Sequence, residues 1–313
     1  MYTEEIPWIE GTPLGLKIRE VESVPPHMHE NIIEIIFCLK GSVKFDYEYE
    51  QFTLHAGEFI SVDKDAHYLY NGEDDICVSF YIDLEWFKEK YPFVTSTLFV
   101  CEFCKESITP HRDAHNRLKG MLLALLYYLG NYGKADELFK ETLISGTEKI
   151  VDLFVAAFDI VFFYRPGLKV KPELLERYRE MNHYIQTNSE DKISLNTMAE
   201  EFHLTEAYVS EFFRYYSIGF RKCLGYNRTY KSEKYLLATD MNINEISENC
   251  GFSDPKYYYS AFKEWYKCTP KQFRDSYREK MDRPCKENVS DVAGAFKFIN
   301  SLILKHYMNL FLA

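Results

Sequence analysis

The sequence has no apolar run near the ~18 residues that a membrane-spanning helix needs. Its longest candidates, 121–129 and 302–313, are short, and the second contains Lys305 and His306. The opening Met1-Tyr2-Thr3-Glu4-Glu5 lacks the basic stretch and apolar core of a secretion signal, so a cytoplasmic chain is expected. Positive charge is scarce as well. Lys and Arg number 37 against 48 Asp and Glu, a net charge of −11. Taken whole, that deficit argues against nucleic acid and against a polybasic membrane anchor, since both call for a basic surface. Paired cysteine motifs are missing too. Cys101 and Cys104 make one C-x-x-C with no second pair beside it, and the eight cysteines read as reduced thiols.

What is present is core material: 46% of the 313 residues are apolar and 17% aromatic, enough for two or three domains and too much for disorder. The charge is uneven. Residues 1–170 carry 16 basic and 28 acidic side chains, whereas residues 171–280 carry 17 of each. An acidic front and a balanced rear point to domains with different partners.

The front, 1–90, reads as β. Val43–Glu50 alternates apolar and polar, and Ile32–Leu39, Phe59–Val62 and Ile76–Ile82 are further short strands, with Gly41, Gly57 and Asn71-Gly72 as turns. Such spacing predicts an antiparallel sandwich or barrel. Residues 91–170 turn helical. Leu118, Leu122, Leu125, Leu126 and Leu129 recur at helical spacing, as do Ile150, Leu153, Phe154, Ala157, Phe158 and Val161. Stripes this broad must pack on a core or on a second subunit. Arg165-Pro166-Gly167 to Lys171-Pro172 reads as a linker. The tail, 281–313, offers Phe296, Ile299, Leu302, Ile303 and Leu310 as one face of a helix.

Residues 171–280 hold two segments of one plan. In the first, Ser194 caps a helix carrying Met198, Ala199 and Phe202, and Thr205 caps a second with Val209, Phe212 and Phe213 inside. In the second, Asn242 and Glu245 form a capping box, Gly251 makes the turn, and Asp254-Pro255 opens the following helix. Each is a helix-turn-helix, and a long helix from about Phe220 to Ala238 joins them. The stretch 238–254, with Tyr257-Tyr258-Tyr259-Ser260-Ala261-Phe262-Lys263 and Thr269-Pro270-Lys271-Gln272-Phe273-Arg274, resembles the C-terminal domain of AraC/XylS-family transcription regulators. Lys267, Ser217 and Ser232 depart from that pattern, at positions where Gly, Gly and Ala are usual.

The resemblance implies a double-stranded DNA operator as partner. It places base reading on Ala207, Ser210 and Glu211 and on Lys256, Tyr257 and Ser260, near the starts of the two second helices. Phosphate contacts are expected from Thr205, Arg214, Arg228, Lys231, Lys263, Lys271 and Arg274. It further implies a homodimer and, for an activator, RNA polymerase as partner.

Pro26-His27-Met28-His29, then Glu34 and Gly41, then Gly57 and His67, resembles the two-motif pattern of the cupin barrel. In the second motif, Asp63 and Asp65 stand where Pro and Gly are usual. The expected class is therefore α+β: an antiparallel cupin-like domain, a helical segment and an all-α domain with two helix-turn-helix units. Three readings of His27, His29, Glu34 and His67 stay open: a divalent metal site, effector hydrogen bonding, or satisfied structural polar groups. Metal coordination needs three or four nitrogen or carboxylate ligands. Arg19, Tyr47 and Tyr81, with Tyr49, Tyr68 and Tyr70, are the expected lining of an effector pocket, with a sugar the commonest effector class of the resembled family. Rival readings are a dimeric DNA-binding regulator without effector, and a metal-dependent cupin enzyme that would turn over substrate and ignore DNA.

Overall fold

The computed structural model describes residues 3–47, 50–63, 68–99, 112–132, 136–159, 170–290 and 292–312. They divide into two compact units, Tyr2–Pro166 together with Arg283–Ala313, and Gly167–Asp282.

The first unit is built on side-chain alternation along paired strands. β1 (Leu14–His27), β2 (Ile32–Tyr47), β3 (Glu50–His55), β4 (Phe59–Val62), β5 (Tyr68–Asp83) and β6 (Lys286–Ser290) form one antiparallel sheet, in the order β3-β2-β5-β1-β6 with β4 also on β2. On β2, Ile33, Ile35 and Phe37 face one core, while Glu34, Ile36 and Cys38 face the other way. The first face is covered by α1 (Arg112–Asn131), α2 (Glu137–Leu153) and α10 (Val292–Leu312), whose Leu118, Leu122, Leu126, Ile150 and Ile299 are buried in the same core. The leucine stripe thus packs on the sheet. The tail does more than form a helix: β6 extends the sheet along β1 before α10 begins.

Three strand expectations need correction. Ile32–Leu39 and Val43–Glu50 are parts of one β2 strand up to Tyr47, and Gly41 is a bulge within it. Asn71-Gly72 is not a turn but lies inside β5, opposite Lys44 and Val43. A Cβ on Gly72 would sit 2.0 Å from the Val21 carbonyl oxygen, so glycine is there to let β1 approach, not to reverse the chain. β1 carries no clean alternation, because Lys17 and Arg19 occupy inward positions, and it does not declare itself as a strand in the sequence.

The second unit contains α3 (Pro172–Asn188), α4 (Leu195–Glu201), α5 (Glu206–Tyr216), α6 (Phe220–Ala238), α7 (Ile243–Asn249), α8 (Pro255–Tyr266) and α9 (Pro270–Met281). The caps sit where the local chemistry calls for them. Ser194, Thr205, Asn242, Asp254 and Thr269 each accept a backbone N–H in the first turn they precede, and the Asn242–Glu245 box is complete. The departures from the family pattern have local answers. Lys267 takes the left-handed conformation after α8, with φ +54°. Ser217 is extended, and the positive φ moves to Gly219. Ser232 is buried and accepts from the Tyr258 hydroxyl at 3.0 Å.

Candidate functional site

In each helix-turn-helix of the second unit, the second helix buries one face and exposes the other. On α5, Val209, Phe212 and Phe213 are buried while Ala207, Ser210 and Glu211 are exposed. On α8, Tyr258 and Phe262 are buried while Lys256, Tyr257 and Ser260 are exposed. Three- and four-residue spacing gathers each exposed set on one face near the helix start. Lys256 is 3.2 Å from Asp254 and lies over the Tyr257 ring, while Glu211 pairs with Arg214.

The residues expected on phosphate separate into two kinds. Arg214, Lys263 and Lys271 are exposed, and Lys231 is 3.5 Å from Glu190. Thr205 is exposed and serves as the α5 cap. Arg228 and Arg274 turn inward as clamps. Arg228 donates to the Ser189 carbonyl at 2.7 Å and the Asp191 carbonyl at 2.9 Å, just ahead of α4. Arg274 does the same to Leu236 and Met241, at 3.0 and 2.8 Å, just ahead of α7. Each helix-turn-helix is therefore tied at the same place, its entry loop, by an arginine from a later helix.

The inner face of the sheet in the first unit holds the other site. Arg19 on β1 is fully buried, and its Nη2 donates to Ser79 Oγ at 3.0 Å, to the Tyr81 hydroxyl at 3.3 Å and to the Tyr70 hydroxyl. Around it stand three carboxylates: Glu4, Glu34 at 3.4 Å and Glu287 at 2.8 Å. Lys17 reaches Glu4 at 3.1 Å and also pairs with Glu287. The Tyr81 hydroxyl donates to Glu4 Oε2 at 2.8 Å. Burial keeps both tyrosines protonated, with pKa well above the ordinary range.

His27 and His29 complete the cluster. His27 Nδ1 donates to the Pro25 carbonyl at 2.8 Å, which leaves Nε2 aimed at Glu4 and Glu34, 3.9 and 4.0 Å away. His29 Nε2 is 3.5 and 3.4 Å from the same two Oε2 atoms. Burial pushes His27 down to about 4, against the pull of Glu34 and Glu4. His29 is lowered by burial but raised further by hydrogen bonds to Glu34 and Glu4, ending at about 9. Burial alone would raise Glu4, yet His29, Arg19, His27 and Lys17 hold it well below the usual carboxylate range.

The two histidines set opposite slopes in stability. A raised pKa means that the His29 contribution is full below its ordinary value of 6.5 and is lost as pH climbs through about 9. A lowered pKa means that folding loses ground as pH falls from 6.5 toward about 4, where unfolded His27 takes a proton that the folded form refuses. The first unit is expected to be most stable near neutrality and to lose roughly 1–3 kcal/mol by pH 9. His29→Gln should flatten the alkaline limb in thermal melts, and an unchanged limb would refute the assignment.

The expected residues Arg19, His27, His29, Glu34 and Tyr81 thus meet at one place. His67 lies outside the described residues, as do Cys101, Cys104 and Tyr49, and the side chains of Tyr47 and Tyr68 are likewise outside them. Glu4, Lys17, Ser79 and Glu287 are members that sequence reasoning missed. Lys17 and Arg19 carried a signal, two charges at inward spacing on one strand, which demand buried partners. Glu4 and Glu287 carried none: they reach Arg19 from 15 and 268 residues away.

Glu4, His27, His29 and Glu34 offer four ligand atoms within 4.8 Å of one another. A divalent cation at ~2.0–2.2 Å from four tetrahedral ligands needs ligand separations of roughly 3.3–3.6 Å. The His–Glu separations of 3.4–4.0 Å fit that set after a small contraction. The same carboxylates already meet Arg19 and Lys17, so the cluster works as a metal-free ion-pair network as well.

A helix-turn-helix domain family matches residues 198–276, and a cupin domain family matches residues 17–83. The regulatory protein PocR of Salmonella typhimurium is 29% identical over 102 residues, 32% of this chain and 34% of that one. The xylose operon regulatory protein of Escherichia coli is 45% identical over 51 residues, 16% of this chain and 13% of that one. The Msm operon regulatory protein of Streptococcus mutans is 20% identical over 255 residues, covering 80% of this chain and 87% of that one. This chain spans about a third of PocR and a smaller part of the xylose regulator. No helix among the described residues is long and apolar enough to cross a membrane.

Proposed function

The chain belongs to the AraC/XylS family of transcription regulators, and from that premise we propose that it is a sequence-specific, DNA-binding activator governed by a small molecule held in its cupin domain. The observation that carries the DNA reading is the paired exposure of α5 and α8, two capped helices with their apolar faces spent inside. Both present a first turn sized for a major groove, and two such helices in one unit read adjacent turns of a duplex. Lys256, Tyr257 and Ser260 read bases from α8, and Ala207, Ser210 and Glu211 from α5. Arg214, Lys231, Lys263 and Lys271 meet phosphate. Arg228 and Arg274 act one step back, by fixing the entry loops that aim those helices.

The whole-chain charge of −11 does not contradict this, because the acidity lies in residues 1–170 and the second unit is neutral in sum. Non-specific affinity should accordingly be modest and fall steeply with salt. The effector reading rests on the buried cluster at Arg19, and a sugar-derived ligand suits a family whose relatives include a xylose operon regulator. Ligand binding shifts the equilibrium between arrangements by its differential affinity for them. A homodimer is supported by exposed apolar side chains on α1 and α10, Tyr127, Leu304, Tyr307 and Met308, beside a cleft of about 470 Å³. We place the protein in the cytoplasm, with RNA polymerase as its partner at the promoter.

Selection of duplexes from a random pool tests the reading: a defined site should be enriched, and failure to enrich any sequence overturns it. On that site, Lys256→Ala should weaken binding about 10-fold or more at fixed salt, and Glu206→Ala should not weaken it. The reverse order would remove α8 from its base-reading role.

A further inference from the structure

The inner face of the sheet is lined by charge, and one of those charges comes from outside it. Glu4 belongs to a stretch, residues 3–7, that is neither strand nor helix. Its side chain is nonetheless fully buried, and its carboxylate is the meeting point of the cluster. Arg19 and Lys17 hold Oε1, while the Tyr81 hydroxyl and the two histidines surround Oε2. A guanidinium, an ammonium and a phenol donating to two oxygens of one group is a carboxylate receptor. Its donors are on the sheet itself, at Lys17, Arg19 and Tyr81, so the receptor survives when the occupant leaves.

We propose that Glu4 is a built-in stand-in for the effector, and that the effector is a small carboxylic acid, of the sugar-acid kind, whose carboxylate displaces Glu4 from Lys17, Arg19 and Tyr81. This deepens the regulator reading and rests on it for its consequence. Withdrawal of Glu4 takes from Lys17, Arg19 and the Tyr81 hydroxyl the charged acceptor that all three share, a loss that an incoming carboxylate makes good and a neutral sugar does not. Glu287 shares both cations and sits on β6, which begins four residues after the second unit ends at Asp282, just past its last helix α9. Occupancy by an acid is therefore felt at the strand that leads the chain back from the DNA-binding unit.

The test is a thermal-shift and calorimetric comparison of the full chain with Glu4→Ala and Glu4→Gln, at constant ionic strength. Acetate and glucuronate are the carboxylate probes, acetamide and glucose their neutral counterparts, and zinc chloride with and without chelator the metal arm. Glu4→Ala should melt lower than the parent and recover by about 5 °C or more in millimolar acetate or glucuronate, with no recovery in acetamide or glucose. The parent should bind glucuronate about 10-fold or more weakly than Glu4→Ala, because Glu4 competes for the same donors. Equal response to acid and neutral probes overturns the proposal, as does indifference of both Glu4 variants to every carboxylate. Stabilisation by zinc alone, reversed by chelator, also overturns it and assigns the four-ligand cage instead. If neither variant folds, absence of glucuronate binding to the parent is the overturning result. Duplex binding on the same preparations separates the two levels: carboxylate binding without DNA binding sinks the regulator reading and leaves this one standing.

Discussion

Arg19→Met is expected to cost the first unit about 3–5 kcal/mol, a fall in its melting temperature of roughly 10 °C or more. Arg19 has no exposed surface and stands between Glu4, Glu34 and Glu287. Truncating it leaves three carboxylates with only Lys17 and His29 as cationic partners, in a place from which water is largely excluded. The energy at stake is less the attraction lost than the desolvation no longer offset. Two controls distinguish this from a simple cavity effect. Arg19→Lys should recover only part of the loss, because one ammonium cannot serve the Glu4 side and the Ser79–Tyr81 side together. Adding Glu4→Gln to Arg19→Met should cost less than the sum of the single changes, since the stranded charge is then gone. Thermal melts that resolve the two units would read the result. A loss below about 1 kcal/mol would mean that the network is solvated and contributes little.

The second large effect is expected at Gly251, in the turn between α7 and α8. Its φ is +80°, and a Cβ there would lie 2.6 Å from the carbonyl oxygens of both Ser189 and Glu190. Both obstacles are backbone, and the Ser189 carbonyl is held by Arg228. Gly251→Ala combines the left-handed penalty of about 1–2 kcal/mol with a contact that no rotamer relieves, for a total of about 3 kcal/mol or more. Because the same turn sets the start of α8, duplex affinity should fall about 100-fold, beyond what the loss of any one base contact gives. Gly225→Ala is the matched control. Its Cβ would meet only the Ala261 methyl at an ordinary 3.6 Å, and alanine in the interior of α6 should stabilise by about 0.5–1 kcal/mol. Equal binding by the two variants would remove the turn from its assigned role.

The two units differ in how far their residues announced them. In the second, nearly every boundary rests on interactions within four residues: Ser194 with Thr197, Thr205 with Tyr208, Asn242 with Glu245, Thr269 with Gln272. Capping, periodicity and turn chemistry are local, so they are written in the order of the chain and can be read from it. The exposed faces of α5 and α8 follow from the same periodicity. What the order of residues did not disclose is that Arg228 and Arg274 are spent on carbonyls 33 to 39 residues away rather than held out toward phosphate.

In the first unit the local rules misled at Gly41 and Asn71-Gly72, where turn residues serve a bulge and a close approach inside long paired strands. The histidine and glutamate motif marked the right place, but Glu4 and Glu287 joined it from opposite ends of the described chain. A buried charge has no periodic signature, because what makes it tolerable is a partner of opposite charge, and that partner is supplied by the topology of the sheet. The helix-turn-helix pair, its caps and its exposed faces were therefore properties of sequence. The charge-lined interior, its carboxylate occupant and the return of the tail as β6 exist because strands distant in the chain pair side by side and exclude water between them.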